Sequence, residues 1–366
     1  MTRFLTTVSA IALTTSAASA GGIDRSGQPI GVIFEDGTYA EFSLGYAAPD
    51  VSGTAVASLG GFPSGDMAGD YFSLGAAVKH EYSNGLEVAL IWDQPFGANV
   101  DYPTGTNYFA QGSNADLTTQ AITGLVRMSL DENMSIHGGV RYQTMKADAV
   151  VPFVDNYSAT ADQAAGIGYV LGAAYEIPEI ALRVALTYNS KVTHDHDVTE
   201  TTGTFGTRAS TLEVETPQSV NLDFQTGVAA DTLLFGSVRW VNWSNFDISP
   251  NDYGIVTSGG SLVSYDDDSV SYSLGLGRRL NEKFSVAATL GYEASTGGFS
   301  SNLGPTDGYW NAGLGGTYTQ DNMKISGGLR YVSIGDAQTT LNGTDAASNF
   351  QDNSAIGVGV KVGLSF

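Results

Sequence analysis

The sequence contains no cysteine among its 366 residues, which excludes a disulfide framework and thiolate metal sites. Basic residues are few: 16 Lys+Arg stand against 38 Asp+Glu, a formal net charge of −22. A protein that grips a phosphate backbone needs a basic patch, so nucleic acid is excluded as a partner. No stretch approaches the roughly 20 apolar residues that a transmembrane helix requires. No G-x-S-x-G elbow and no defensible nucleophile–base pair is present, so the chain is not read as an enzyme and no cofactor is expected.

The chain is instead rich in glycine, 46 residues against 10 proline, as suits many strands joined by tight turns. Its start reads as a secretory signal. Arg3 precedes a short apolar run from Phe4 to Leu13, and small residues end at Ala18-Ser19-Ala20. Residues 1–20 are therefore expected to be a signal peptide, with the mature chain beginning near Gly21. Mean hydropathy is −0.03. That value fits a soluble protein, but it also fits a barrel whose lipid-facing and lumen-facing residues alternate and cancel.

Period 2 dominates the chain. In the last strand Ile356, Val358, Val360, Val362, Leu364 and Phe366 fall on one face, and Gly357, Gly359, Lys361, Gly363 and Ser365 on the other. Residues 134–143, 180–189, 284–293 and 323–332 repeat the alternation. Short turns such as Ser83-Asn84-Gly85, Asp131-Glu132-Asn133 and Gln320-Asp321-Asn322 alternate with longer polar connections at about 49–69, 94–115, 147–165, 190–209, 246–268, 295–308 and 336–352. Short periplasmic turns and long extracellular loops are the layout of an outer-membrane barrel. The expectation is an all-β, transmembrane antiparallel β-barrel of about 14 strands spanning 37–366, preceded by a short N-terminal lumenal segment, 21–36. Lipid offers no partner to an open strand edge, so the first strand must pair with the last. Tyr82, Trp92, Tyr175, Tyr188, Trp240, Tyr292, Tyr318 and Tyr331 are placed to form interfacial girdles. A β-sandwich core is the competing reading of these aromatics.

Three segments resemble the FadL/TodX family of outer-membrane transporters. One runs from Thr216-Pro217-Gln218-Ser219-Val220 into Arg239-Trp240-Val241-Asn242-Trp243-Ser244-Asn245-Phe246. The second runs from Gly172-Ala173-Ala174-Tyr175-Glu176-Ile177-Pro178 to Leu182–Ser190, and the third from Gly308 to Phe366. The resemblance implies a fourteen-stranded barrel, an N-terminal hatch, apolar ligand pockets and a lateral opening near the third strand. It implies passive uptake of long-chain fatty acids or other hydrophobic compounds. Residues 21–36 are shorter than the family's hatch and lack its Asn-Pro-Ala motif, which keeps a general diffusion porin for small polar solutes as the alternative.

A carboxylate-bearing ligand would want a forked Arg beside apolar walls. The alternation puts Arg127, Arg141, Arg183, Arg239, Arg330, Lys79, Lys324 and Lys361 on the lumen face, with Glu41, Glu87, Glu176, Asp223 and Glu293. Internal salt bridges are one reading of that set, since buried charges must pair. Ligand contact at Phe235, Arg239 and Trp243, which share a face, and at Arg141, Arg183 and Arg330 is the other. A one-residue slip in register would reverse these faces. Leu59, Phe62, Phe96, Tyr108 and Phe109, with Tyr102 and Met67, are apolar residues in long loops, fit either to pack on each other or to capture ligand. His194-Asp195-His196-Asp197 reads as a solvated acidic loop rather than a metal site, and Asp266-Asp267-Asp268 lacks the spacing of a calcium loop. The expected partners are outer-membrane lipid, lipopolysaccharide and, through Phe366, the barrel-assembly machinery, with the protein itself a monomer.

Overall fold

The computed structural model describes residues 22–366; the signal peptide expected over 1–20 lies outside them. Fourteen antiparallel strands close into one barrel. They are β1 (Tyr39–Asp50), β2 (Tyr71–Glu81), β3 (Leu86–Asp93), β4 (Asn114–Ser129), β5 (Met134–Val151) and β6 (Tyr157–Ile177). Two strands follow in two segments each: β7 (Leu182–Asn189, then Val192–Thr202) and β8 (Gly206–Thr216, then Ser219–Ala229). The circuit ends with β9 (Thr232–Val241), β10 (Ser269–Arg279), β11 (Phe284–Glu293), β12 (Tyr309–Gln320), β13 (Met323–Ile334) and β14 (Ser354–Ser365). β1 pairs with β14 from Tyr39↔Ser365 to Asp50↔Ser354, so the sheet has no free edge there. Every backbone donor and acceptor at membrane depth needs such a partner.

The outside of the barrel is apolar. Leu290, Leu314 and Leu329 are exposed at 65%, 60% and 55%, side chains that only a hydrocarbon solvent would leave in place. Aromatic residues bound this band at both ends. On β11, Phe284 and Tyr292 are both exposed and lie eight residues apart. At about 3.3 Å per residue and a tilt of about 40°, that spacing is roughly 20 Å along the membrane normal, close to the band height of outer-membrane barrels. Tyr272, Tyr292 and Trp310 stand side by side across β10, β11 and β12.

Two of the expected loops are strand. Only residues 152–156 separate β5 from β6, and only 203–205 separate β7 from β8. The expectation of polar loops over 147–165 and 190–209 is therefore corrected. Above the membrane the outward face of a strand meets water instead of lipid, so the outward half of the alternation turns polar while the ladder continues. His194 and His196 accordingly lie on a strand, both buried, with rings 6.2 Å apart. They do not belong to a solvated loop; two residues apart on a strand means the same face.

The extracellular half of the interior is packed solid. Phe96, Leu117, Met145, Tyr157, Trp243, Phe246 and Leu262 form one apolar cluster, and Met67, Tyr102, Tyr108, Val332 and Phe350 another. A short helix, α1 (Asn251–Val256), is tied to the wall where the Asp252 and Tyr253 amides donate to the buried Glu200 carboxylate at 2.8 and 3.3 Å. Residues 22–36 thread the lumen below this plug. Gly22, with φ of 60°, lies flat on Trp243, where a Cβ would come within 2.6 Å of the indole.

Candidate functional site: a chamber that crosses the barrel wall

β2 pairs with β1 from Tyr71 to Lys79, but with β3 only from Ala76 to Glu81. Among the described residues, Tyr71–Gly75 therefore have no β3 partner. The cause is local. Pro95 follows β3 closely and has no N–H to offer a ladder, and the chain turns inward there. Pro95 O accepts from the Arg25 amide at 2.8 Å, and the Gly97 amide donates to Ile23 O at 2.9 Å. A Cβ at Gly97 would come within 2.7 Å of the Arg25 guanidinium and push it aside. Gly97–Asp101 then resumes pairing with β4. The abandoned Leu74 amide donates instead to Gln94 Oε1 at 2.9 Å.

A cavity of about 830 Å³ opens behind this gap. Its lining includes Ser73, Ala77, Ile91 and Asp93, which point inward, and also Leu74, Ala76 and Trp92, which have the opposite parity. Leu74, Ala76 and Trp92 meet the cavity where the ladder between β2 and β3 is interrupted, so the cavity lies at the break in the wall. At its other end it reaches the short turns at Pro178–Leu182 and Ala229–Thr232, on the side of the chain ends. Val32, Phe34 and Glu35 of the N-terminal segment form its inner flank.

A family profile described as outer membrane protein transport protein (OMPP1/FadL/TodX) matches residues 76–366. The chain belongs to this family. Membership makes it an outer-membrane transport channel rather than an enzyme. The fold agrees with solved FadL/TodX barrels. A Pseudomonas aeruginosa FadL homologue superposes with a TM-score of 0.75 at 13% identity, covering 92% of each chain. The Pseudomonas putida toluene transporter TodX gives 0.64 at 12% identity over 91% of each chain. The Ralstonia pickettii toluene transporter TbuX gives 0.64 at 12% over 91% of this chain and 90% of that one. No curated protein sequence matches.

The structure scatters the ligand candidates rather than gathering them. Of the six lumen residues named from the sequence, Arg183 alone lines the chamber of this FadL/TodX barrel. Its guanidinium lies 4.6 Å over the Phe34 ring and donates to Gln225 Oε1 at 3.2 Å. Arg239 is taken up by the N-terminal segment and neighbouring strands. Its Nε donates to Asp24 at 2.7 Å, its Nη1 to Asn221 and Ser219 at 2.6 and 3.0 Å, and its Nη2 to Gln28 at 3.2 Å. Phe235 faces inward and packs over Gly275, where a Cβ would sit 2.4 Å from the ring. Trp243 does not share its face: β9 ends at Val241, and Trp243 belongs to a 3-10 turn in the apolar plug. Arg141 is buried and donates from Nε to Thr123 at 2.9 Å. Arg330 faces inward beside Gly313, 3.9 Å from the position a Cβ would take there.

Inward charges are largely paired among themselves. Lys79 bonds Glu87 at 2.7 Å, Arg127 bonds Glu87 at 2.8 Å and also Glu176, Lys324 bonds Glu35 at 2.9 Å, and Lys361 bonds Glu41 at 3.2 Å. Among the loop candidates, Phe96 and Tyr108 are fully buried, Leu59 and Phe109 are partly buried against the second cluster, and Phe62 remains exposed. Tyr108 stacks on Tyr102 and bonds Ser348 at 2.6 Å; burial pushes its hydroxyl up to about 12. Sequence reading missed Ser26, Leu74, Trp92, Asp93 and Gln94. The one available signal was Pro95 at a strand end, which marks a break in the ladder.

Proposed function

We propose that this barrel admits hydrophobic compounds across the outer membrane by way of the wall-crossing chamber, with residues 22–36 acting as a short hatch. The observation that carries this is the lining by both strand parities at Leu74–Ala77 and Ile91–Asp93. The opening connects a hydrocarbon solvent with a protected interior, which serves a molecule that prefers lipid to water. The packed extracellular half speaks against the diffusion porin, whose lumen is a water column.

Long-chain fatty acids remain within this reading, but uncharged compounds fit the chamber better. Its lining holds Glu35, Asp36, Glu41, Asp93, Glu176, Glu179 and Asp231 against Arg183, Arg279 and Lys361. Lys361 and Arg279 are already paired, with Glu41 and Asp231. A carboxylate would enter a negative field with few donors to meet it. The same reading has the protein as a monomer in lipid and lipopolysaccharide, with Phe366, exposed at 79% at the end of β14, offered to the barrel-assembly machinery.

The test is uptake of labelled naphthalene and labelled oleate by a deletion strain with and without the restored gene. Restored naphthalene uptake exceeding restored oleate uptake supports the reading. Uptake that is indifferent to the gene for both compounds removes it.

A further inference from the structure

Asp93 is the last residue of β3, at the point where the chamber crosses the wall. The residue is 5% exposed. Oδ2 accepts from the Ser26 hydroxyl of the N-terminal segment at 2.5 Å. Oδ1 has no hydrogen-bond partner among the described residues. Arg141 on β5 donates from Nε to Thr123 at 2.9 Å and makes no ion pair with Asp93 among the described residues. Of the other inward carboxylates, Glu87, Glu176, Glu35, Glu41 and Asp24 each sit in an ion pair, and Asp223 and Glu293 do not line the chamber. Asp93 thus differs from them in having a buried acceptor with spare capacity, and it lines the chamber.

An unmatched buried acceptor is costly, so such a group calls for a donor. The surroundings limit what the donor can be attached to: Ala77, Ile91 and Trp92 beside it are apolar. We propose that Asp93 is a ligand-recognition residue that receives a hydrogen-bond-donating head group, a hydroxyl or an ammonium, on an otherwise hydrophobic molecule. This rests on the channel reading above and adds to it a preference among substrates. A carboxylate head group has no proton to give at neutral pH and is disfavoured. A plain hydrocarbon enters but leaves Oδ1 unmatched. Ser26 places the site under the N-terminal segment: the hydroxyl that orients Asp93 belongs to the same strip of chain that follows the inward turn at Pro95.

The experiment compares naphthalene, 2-naphthol, 2-naphthylmethylamine and 2-naphthoate, which share one skeleton. Equilibrium binding to proteoliposomes of the full mature chain is measured against protein-free liposomes, so that partition into lipid cancels. The wild type is expected to bind the naphthol or the amine about tenfold more tightly than naphthalene, as one hydrogen bond to a buried, otherwise unmatched acceptor warrants. Whichever of the two shows the larger ratio identifies the head group as neutral or cationic. In Asp93→Leu the ratio should fall to about one. Asp93→Asn, of the same shape, should lose the preference for the amine and serves if the Leu variant does not fold, with heat-modifiable mobility as the folding check. Equal binding of all four compounds by the wild type overturns the proposal while leaving the channel intact, as does a ratio that survives both substitutions. Absence of saturable binding for every compound overturns the channel reading along with it.

Discussion

Arg239 on β9 and Asp24, fifteen residues ahead of β1, meet inside the barrel at 2.7 Å, both nearly buried. The contact joins the lumenal segment to the wall. Gln28 and Gly27 reinforce it: the Ser219 hydroxyl donates to Gln28 Oε1 at 2.8 Å, and Asn221 Nδ2 donates to Gly27 O at 2.9 Å. Removing one partner of a buried pair costs about 3–5 kcal/mol, because the other charge is left stranded. Here the loss falls on the attachment of residues 22–36, while the strand ladder remains.

Arg239→Met should therefore free the segment without unfolding the barrel. In planar bilayers the variant is expected to show larger or more frequent conductance steps than the wild type. Asp24→Asn, which keeps the shape but not the charge, should do so to a lesser degree. Traces identical to wild type in both variants would mean that the plug above, rather than the segment, closes the lumen.

Asp268 holds the Trp-Val-Asn-Trp-Ser segment together from the loop before β10. Its carboxylate accepts from Trp240 Nε1 at 3.1 Å, from Asn242 Nδ2 at 2.8 Å, and from the Ser244 hydroxyl and amide at 2.6 and 3.1 Å. Burial acts to raise its pKa, but the bonds from Ser244, Asn242 and Trp240 outweigh it and hold the carboxyl below its ordinary value. A lowered folded-state value means that the stabilisation is present above the unfolded value of about 3.9 and is lost as pH falls through the folded one. The prediction is that residues 244–268 become protease-sensitive only below about pH 4 in the wild type. Asp268→Asn should show that sensitivity at neutral pH. Equal cleavage of the two proteins at pH 7 would refute the role.

The barrel was legible because its alternation is strict where lipid meets the wall, as from Ile356 to Phe366. It was not legible over Val192–Thr202, where the inward face mixes Val192 and Val198 with His194, His196 and Glu200 and the outward face carries Asp195 and Asp197: too little contrast in hydropathy reports the strand. The Arg239–Asp24 contact has a sequence separation of 215 residues and no local pattern to announce it. Asp93 could not be told from Glu87 by type or parity. Only the inward turn at Pro95, which decides where β3 stops pairing, gives it a different setting.

The wall gap predicts a variant that closes it. Gly75 faces inward beside the unpaired part of β2, and a Cβ there would come within 2.7 Å of Ser43 Oγ. Gly75→Trp in a Ser43→Gly background gives the indole room and fills the passage with bulk. Uptake of labelled naphthalene is expected to fall about tenfold or more, a barrier increase of about 1.4 kcal/mol or above. Uptake equal to that of the Ser43→Gly parent would show that solute takes another path.

Lys79 tests how far internal charge pairing sustains the barrel. Its side chain is fully buried, and Nζ donates to Glu35 O at 2.6 Å and bonds Glu87 at 2.7 Å. Glu87 also serves Arg127, which in turn holds Glu176, so one ammonium anchors a network across β2, β3, β4 and β6. Lys79→Met leaves Glu87 and Glu176 to share Arg127 as their one cation and frees the Glu35 carbonyl, and should cost about 1–3 kcal/mol in urea unfolding from liposomes. Lys79→Met with Glu87→Gln should recover part of that loss, because the uncompensated charge is gone even though Arg127 loses a partner. A double variant no more stable than Lys79→Met alone would show that the lost lysine contacts to the backbone and the packing of its alkyl chain, rather than the excess negative charge, set the cost.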